Sequence, residues 1–204
     1  MAWLSDLEKA GFIMRITPFG HLKRGIFYKM IDEYSLFYFR WIEPVKQTLL
    51  NLDMKQGYWQ DIQTSQSWYS WAGYTFESIC LKHHTIISQA LNLGPSAVPY
   101  SWRIVSKKNS DIQGAQIDLL FDREDNAITL CEIKYTRTPY VLDKEAAQKL
   151  RDKIKIFKEQ TRTQKNIFVS LISAQGSKKN AHYEELIGSD GLVTLDDFFQ
   201  DTDF

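Results

Sequence analysis

The stretch "AQIDLLFDREDNAITLCEIKYT", residues 115–136, decides how this chain is read. Two apolar runs, 115–122 and 127–135, flank a short polar turn, the pattern of two β-strands. Yet they carry Asp118, Glu132 and Lys134 among Ile and Leu. Side chains alternate faces along a strand, so Glu132 and Lys134 share one. If the turn is Glu124, Asp125 and Asn126, Arg123 pairs with Ala127. Counting back then sets Asp118 directly opposite Glu132, with Cβ atoms about 5 Å apart. A turn one residue shorter or longer puts Asp118 on the other face. Two carboxylates that close repel unless a cation lies between them. A divalent ion, Mg²⁺ or Mn²⁺, meets that need, since Mg²⁺ sites use one or two carboxylates with waters and phosphate oxygens. Lys134 beside them can orient a water or steady charge on a phosphate. The alternative is a salt-bridged trio, with Lys134 neutralising one acid on a solvated sheet face; the apolar residues around Glu132 weigh against it. Removing Asp118 or Glu132 is expected to leave the fold intact or more stable, by relieving like-charge repulsion.

Upstream, residues 3–10 have a helical pattern that ends at Gly11. "FIMRIT" (12–17) and "GIFYKMI" (25–31) read as strands joined by the basic turn "PFGHLKR". Helix, strand, turn and strand make the second half of a winged helix. Residues 1–45 are therefore assigned to a partial winged-helix-like segment, and the chain reads as starting partway into that unit. "DEYSLFYFRWIEPVKQTLL" (32–50) reads as a helix entered at Asp32 and interrupted near Pro44. Its aromatic residues are expected at the interface between the two parts of the chain. Residues 46–71 are assigned as a linker, with 51–66 a polar loop.

A long helix is expected from about Ala72 to Leu91, with Phe76, Ile79, Cys80, Ile86 and Ile87 on its apolar side and Gly94-Pro95 as the stop. A strand over 97–106, the quoted pair and an amphipathic helix over 143–161 follow. "NIFVSLIS" (166–173) is a continuous apolar strand suited to the middle of a sheet. A short strand and a helical turn fill 191–199. From residue 72 to 204 the order α-β-β-β-α-β gives an α/β fold, a mixed sheet with helices on its faces.

Basic and acidic residues balance at 25 each, so any nucleic-acid surface is a local patch. Cys80 and Cys131 sit far apart in apolar contexts, as reduced thiols of a cytoplasmic protein do. No Cys/His group has zinc spacing. No apolar run approaches membrane-spanning length, the start lacks a signal-peptide pattern, and there is no Walker loop and no GxGxxG.

Asp118 with Glu132-x-Lys134, set in that element order, resembles the PD-(D/E)xK nuclease superfamily and its restriction-endonuclease-like fold. That resemblance implies Asp118, Glu132 and Lys134 as catalytic residues. It adds Glu77 in "GYTFESIC", matching the acid of the family's first core helix, as a metal ligand beside Asp118 and Glu132. No Pro precedes Asp118, and no Gln-x-x-x-Tyr follows on the 143–161 helix. The wider chain is similar to the C-terminal, DUF234-type region of archaeal-type ATPases. There a winged helix leads into segments like "DEYSLFYFRWIEP", "GYTFE", "IDLLF" and "CEIKY". The implied partner is an ATPase domain absent from this chain.

The implied reaction is metal-dependent hydrolysis of DNA phosphodiesters. Its phosphate contacts are expected from Arg15, Lys23 and Arg24 around the wing, Lys107 and Lys108 before the motif strand, and Lys149 and Lys153 in the basic 143–165 segment. For that helix, a simple solvated face interleaved with Asp152 and Glu159 is the competing account. The competing function is a non-catalytic DNA-binding or regulatory module of an ATPase; a toxin-like or defence effector would share the nuclease chemistry.

Overall fold

The computed structural model describes residues 2–20, 25–50, 57–106 and 114–199. Its centre is a five-stranded sheet in the order β3-β4-β5-β7-β9. The strands are β3 (Val98–Ile104), β4 (Ala115–Asp122), β5 (Ala127–Lys134), β7 (Asn166–Ser173) and β9 (Leu192–Thr194). β3, β4 and β5 pair antiparallel. β5, β7 and β9 pair in parallel. α5 (Gln66–Lys82) precedes the sheet, and α7 (Lys144–Thr161) crosses from β5 to β7. The restriction-endonuclease-like αβββαβ core expected from the sequence is thus α5-β3-β4-β5-α7-β7, and "NIFVSLIS" is an interior strand.

Both faces of the sheet are covered, which is why β5 is a near-continuous apolar run. On one face Phe76 and Cys80 of α5 and Ile87 of α6 (His84–Ala90) pack on Leu119, Phe121, Cys131 and Ile133. On the other, Phe157 of α7 packs on Trp102, Leu120, Ile128 and Leu130. Ala147 and Leu150 of α7 join Leu171 and the fully buried Tyr183 of α8 (Ala181–Leu186). Asp143 caps α7 by accepting from the Ala146 amide at 2.8 Å. A two-stranded parallel ladder of β6 (Tyr140–Val141) and β8 (Ser177–Lys178) flanks this side and was not anticipated.

The N-terminal segment is α1 (Ala2–Lys9) followed by an antiparallel hairpin of β1 (Ile13–Ile16) and β2 (Phe27–Met30). It docks on both sides of the sheet edge. Ile16 enters the cluster under α5, while the Phe19 ring lies 5.6 Å from those of Tyr100 and Phe157. Asp32 caps α2 (Glu33–Phe37), accepting from the Ser35 amide at 2.8 Å. A π-turn over Tyr38–Ile42 and a 3₁₀ turn at Pro44 then lead into α3 (Lys46–Leu50).

Two expectations need correction. Part of the stretch read as a loop is helical: α4 spans Tyr58–Gln63, and α5 begins at Gln66, not near Ala72. Ser65 caps that start by accepting from the Trp68 amide at 3.2 Å. Trp68 and Trp71 close around Trp41, with centroids 5.0–5.9 Å apart. Tertiary burial of tryptophans therefore pulls a polar stretch into helix. The helix expected to reach Leu91 is broken at His83, whose ψ of 31° separates α5 from α6.

Candidate active site

The β4–β5 hairpin turns in the register counted from the sequence. Leu119 pairs with Cys131 and Asp122 with Ile128. The Arg123 amide donates to the Ala127 carbonyl at 3.0 Å. Asn126 closes the turn with a φ of 59°, a conformation Asn tolerates. This register sets Asp118 across from Glu132, one step beyond the last paired residues.

On its other side β4 carries an irregularity that the sequence does not announce. Tyr100 pairs with Leu120, but Trp102 pairs with Ile117. Asp118 and Leu119 therefore stand opposite the single Ser101, a β-bulge. Packing records the slip: Ile117 and Leu120, three apart, both pack with Phe157, whereas Leu119 and Phe121 pack with Phe76. Asp118 lies in this bulge, a device that re-aims side chains. The Phe19 amide donates to the Ser101 carbonyl at 2.7 Å, so the N-terminal segment holds β3 at the same point.

The acids line two cavities that share no lining residue. Glu77 and Asp118 line one of about 720 Å³ with Lys29. Glu132 and Lys134 line the other, of about 430 Å³, with Lys153 and Tyr140. In the first, burial and then the charge of Asp118 raise the Glu77 carboxyl above its usual range, against the opposing pull of Lys29 and Lys134. The Gln116 side-chain amide donates to Asp118 at 2.6 Å. Lys29 comes from β2; its ammonium lies 3.8 Å from Glu77 Oε2 and 4.6 Å from the centroid of Tyr74. Burial lowers the Lys29 ammonium despite the raising influence of Glu77 and Asp118.

In the second cavity Glu132 receives Lys134 at 2.7 Å on one oxygen and Lys153 of α7 at 2.5 Å on the other. Burial would raise its carboxyl, but the Lys153 and Lys134 charges outweigh this and hold it low. Burial likewise opposes the charged form of Lys134, and Glu132 overcomes it. The two halves feel each other: Lys134 and Glu132 both act on the Glu77 carboxyl.

Among the described residues no three His, Cys, Asp or Glu side chains gather closely enough to hold a metal by themselves. The donor chemistry of Glu77 with Asp118 nevertheless fits a hard divalent ion. Among the described residues it offers two carboxylates against the one ammonium of Lys29, and Mg²⁺ sites need no more than one or two carboxylates. Glu132 could offer an oxygen only by giving up one ammonium partner.

The expected phosphate contacts are scattered. Arg15 is exposed and pairs across the hairpin with Tyr28. Lys23, Arg24, Lys107 and Lys108 lie outside the described residues. Lys149 pairs with Glu145 at 2.6 Å on the solvated face of α7. Lys153 belongs to the acidic site. Arg151 pairs with Glu185 and Lys165 with Asp122, both at 2.6 Å. Acids thus engage much of this basic segment, as on an ordinary solvated face. Lys29 and Tyr74 were missed. The signal for Lys29 was the one cation inside the apolar strand "GIFYKMI".

No family model matches the sequence, and no curated protein does. Solved structures match over part of it. One is the crystal structure of a repair endonuclease from Pyrococcus abyssi, at 17% identity and a TM-score of 0.32, covering 57% of this chain and 42% of that one. Another is an EndoMS–dsDNA2 complex, at 16% identity and a TM-score of 0.32, covering 57% of this chain and 40% of that one. The chain thus spans about two-fifths of each. Likeness at that level adds no weight to any residue, and the site stands on its own geometry.

Proposed function

We propose that the chain is a metal-dependent nuclease domain that hydrolyses DNA phosphodiesters. The observation that carries this is the pair Glu77 and Asp118, two carboxylates that among the described residues have Lys29 as their one ion-pair partner, with Glu132 and Lys134 acting on Glu77 from the second cavity. Asp118 and Glu77 would hold the divalent ion, Mg²⁺ or Mn²⁺, with Glu132 joining them on release of one of its ammonium partners. The chemistry such an ion supplies is polarisation of a phosphate oxygen and a lowered water pKa. Lys134, held charged by Glu132, steadies negative charge developing on the phosphate. Gln116 fixes the orientation of Asp118. Tyr140, beside Lys134, helps wall the second cavity. Arg15, Lys23, Arg24, Lys107, Lys108, Lys149 and Lys153 would meet the DNA backbone.

The sequence resemblance supports placing this domain behind a partial winged-helix segment (1–45), beside an ATPase domain in a longer cytoplasmic protein; the linker expected over 46–71 gives way to α3, α4 and the first turns of α5. Both cysteines are free and buried, in keeping with a reducing compartment. Among the described residues no helix is long and apolar enough to cross a membrane.

The double neutralisation of Glu132 favours one second reading, a DNA-binding or regulatory module whose acids are structural. Incubating the protein with plasmid and linear DNA in Mg²⁺, Mn²⁺ or chelator separates the two. The nuclease reading expects metal-dependent cutting that Asp118→Ala abolishes. Binding without cutting by the wild type in either metal hands the case to the module.

A further inference from the structure

We propose that Lys29 couples divalent-cation binding to phosphate binding by exchanging partners: it is the counter-ion of Glu77 and Asp118 in the free protein and a ligand of the substrate phosphate once a cation has taken its place. This rests on the nuclease reading above. It brings the N-terminal hairpin into the site as a working part, not merely as a neighbour.

The first support is how loosely Lys29 is held. At 3.8 Å its ammonium makes an ion pair with Glu77 beyond hydrogen-bond length, while Lys134 and Lys153 sit at 2.7 and 2.5 Å from Glu132. Among the described residues its other contact is the face of the Tyr74 ring, which tolerates sliding. The side chain is nonetheless only 12% exposed, so water does little to replace a lost partner. An ammonium in this setting is easily drawn away but must go to another anion.

The second is competition. Lys29 is paired with Glu77 and feels the charge of Asp118, so an ammonium there and a divalent ion on the two carboxylates repel each other, and occupancy by one weakens the other. The third is somewhere to go. Lys29 opens onto the cavity of about 720 Å³, which Arg103 also lines. Arg103 pairs across the strands with Gln116, the residue that holds Asp118. A phosphate entering this cavity meets Lys29 and Arg103 together. The hairpin itself cannot swing away, because Ile16 is locked in the core and Phe19 is bonded to Ser101. The exchange is therefore a movement of one side chain within a fixed frame.

Calorimetric titration of the full chain with Ca²⁺, an oxygen-seeking ion, with and without a short duplex oligonucleotide, tests this. The wild type should bind Ca²⁺ about tenfold more tightly when the oligonucleotide is present, a usual size for coupling between sites. Lys29→Met keeps the aliphatic stem. It should bind Ca²⁺ about tenfold more tightly than wild type without DNA, and gain little from DNA, because the coupling is already released. Lys29→Arg should retain the coupling. Lys29→Gln serves in place of Lys29→Met should thermal melting show the latter unfolded. Unchanged or weaker Ca²⁺ binding by the neutral variant, or undiminished coupling, overturns the proposal and leaves the nuclease reading standing. A wild type that binds neither Ca²⁺ nor Mn²⁺, with or without DNA, overturns both.

Discussion

Glu132 stands between two ammonium groups at hydrogen-bond length, whereas Glu77 and Asp118 share one distant lysine, and the elements that carry them explain why. Glu132 sits on β5, with Lys134 two residues along the same strand face and Lys153 presented by the helix packed over it. Local spacing and one crossover helix suffice to neutralise it. Glu77 and Asp118 come from α5 and a bulged strand, and their cation comes from a hairpin far away in sequence. Among the described residues the one ion pair to either is that of Lys29 with Glu77. A charge-balanced acid is the ordinary state of a buried carboxylate, whereas an unbalanced pair persists only where the surrounding structure holds it. In the nuclease reading proposed above, the functional weight would fall on the Glu77–Asp118 half.

The largest expected effect breaks the comparison at that half. Asp118→Ala should reduce metal-dependent DNA cleavage by at least about three orders of magnitude, roughly 4 kcal/mol of lost transition-state stabilisation. Its melting temperature should equal or exceed that of wild type, because like-charge repulsion is relieved. A variant that cuts normally would remove Asp118 from the site.

Glu132→Ala should behave in the opposite way on stability. The expectation that losing either acid leaves the fold no weaker does not extend to Glu132, whose loss strands two lysines beside each other. With all three side chains partly solvated, a cost of about 2–3 kcal/mol is expected, at or below the low end for breaking a buried pair. Urea titration measures it. Equal midpoints for Glu132→Ala and Asp118→Ala would erase the distinction between the two halves.

pH should separate them next. The Glu132 carboxyl is held low in the folded chain, so its stabilisation is present above the ordinary value of 4.5 and is lost as pH falls through the lowered one. The Glu77 carboxyl is raised, so its ionisation costs stability as pH climbs from 4.5 through the raised value. In melting curves against pH, Glu132→Gln should flatten the acid limb below 4.5, and Glu77→Gln should remove a decline above it. The same limb changing in both variants would contradict the assignment.

The smallest effect lies on the solvated face of α7. Lys149→Ala breaks an exposed pair and should leave the melting temperature within error of wild type. If Lys149 meets phosphate, the variant should reduce the slope of log binding constant against log salt by about one. An unchanged slope marks Lys149 as a surface residue only.

Much of the fold was legible in the sequence because local chemistry sets it. Asp143 and Asp32 announce helix starts, the run 166–173 announces an interior strand, and the three residues at 124–126 set the β4–β5 register. Each rests on residues within a few positions of one another. That Glu132 and Lys134 share a strand face was legible for the same reason, but their ion pair was the alternative that the apolar residues around Glu132 weighed against. What escaped was whatever depends on packing between distant segments. The start of α5 at Gln66 is drawn out by tryptophans closing around Trp41. The bulge at Asp118 shows only in the pairing of β4 with β3, because one extra residue in a strand leaves no mark on its own composition. Lys29 reaches Glu77 across 48 residues of chain, since the hairpin docks through Ile16 and Phe19. The sequence by itself determined which acids are present and which strand face holds Glu132 and Lys134. Only the tertiary structure decided which acid has its charge balanced, because that depends on distances between groups the chain brings together by burying its apolar surface.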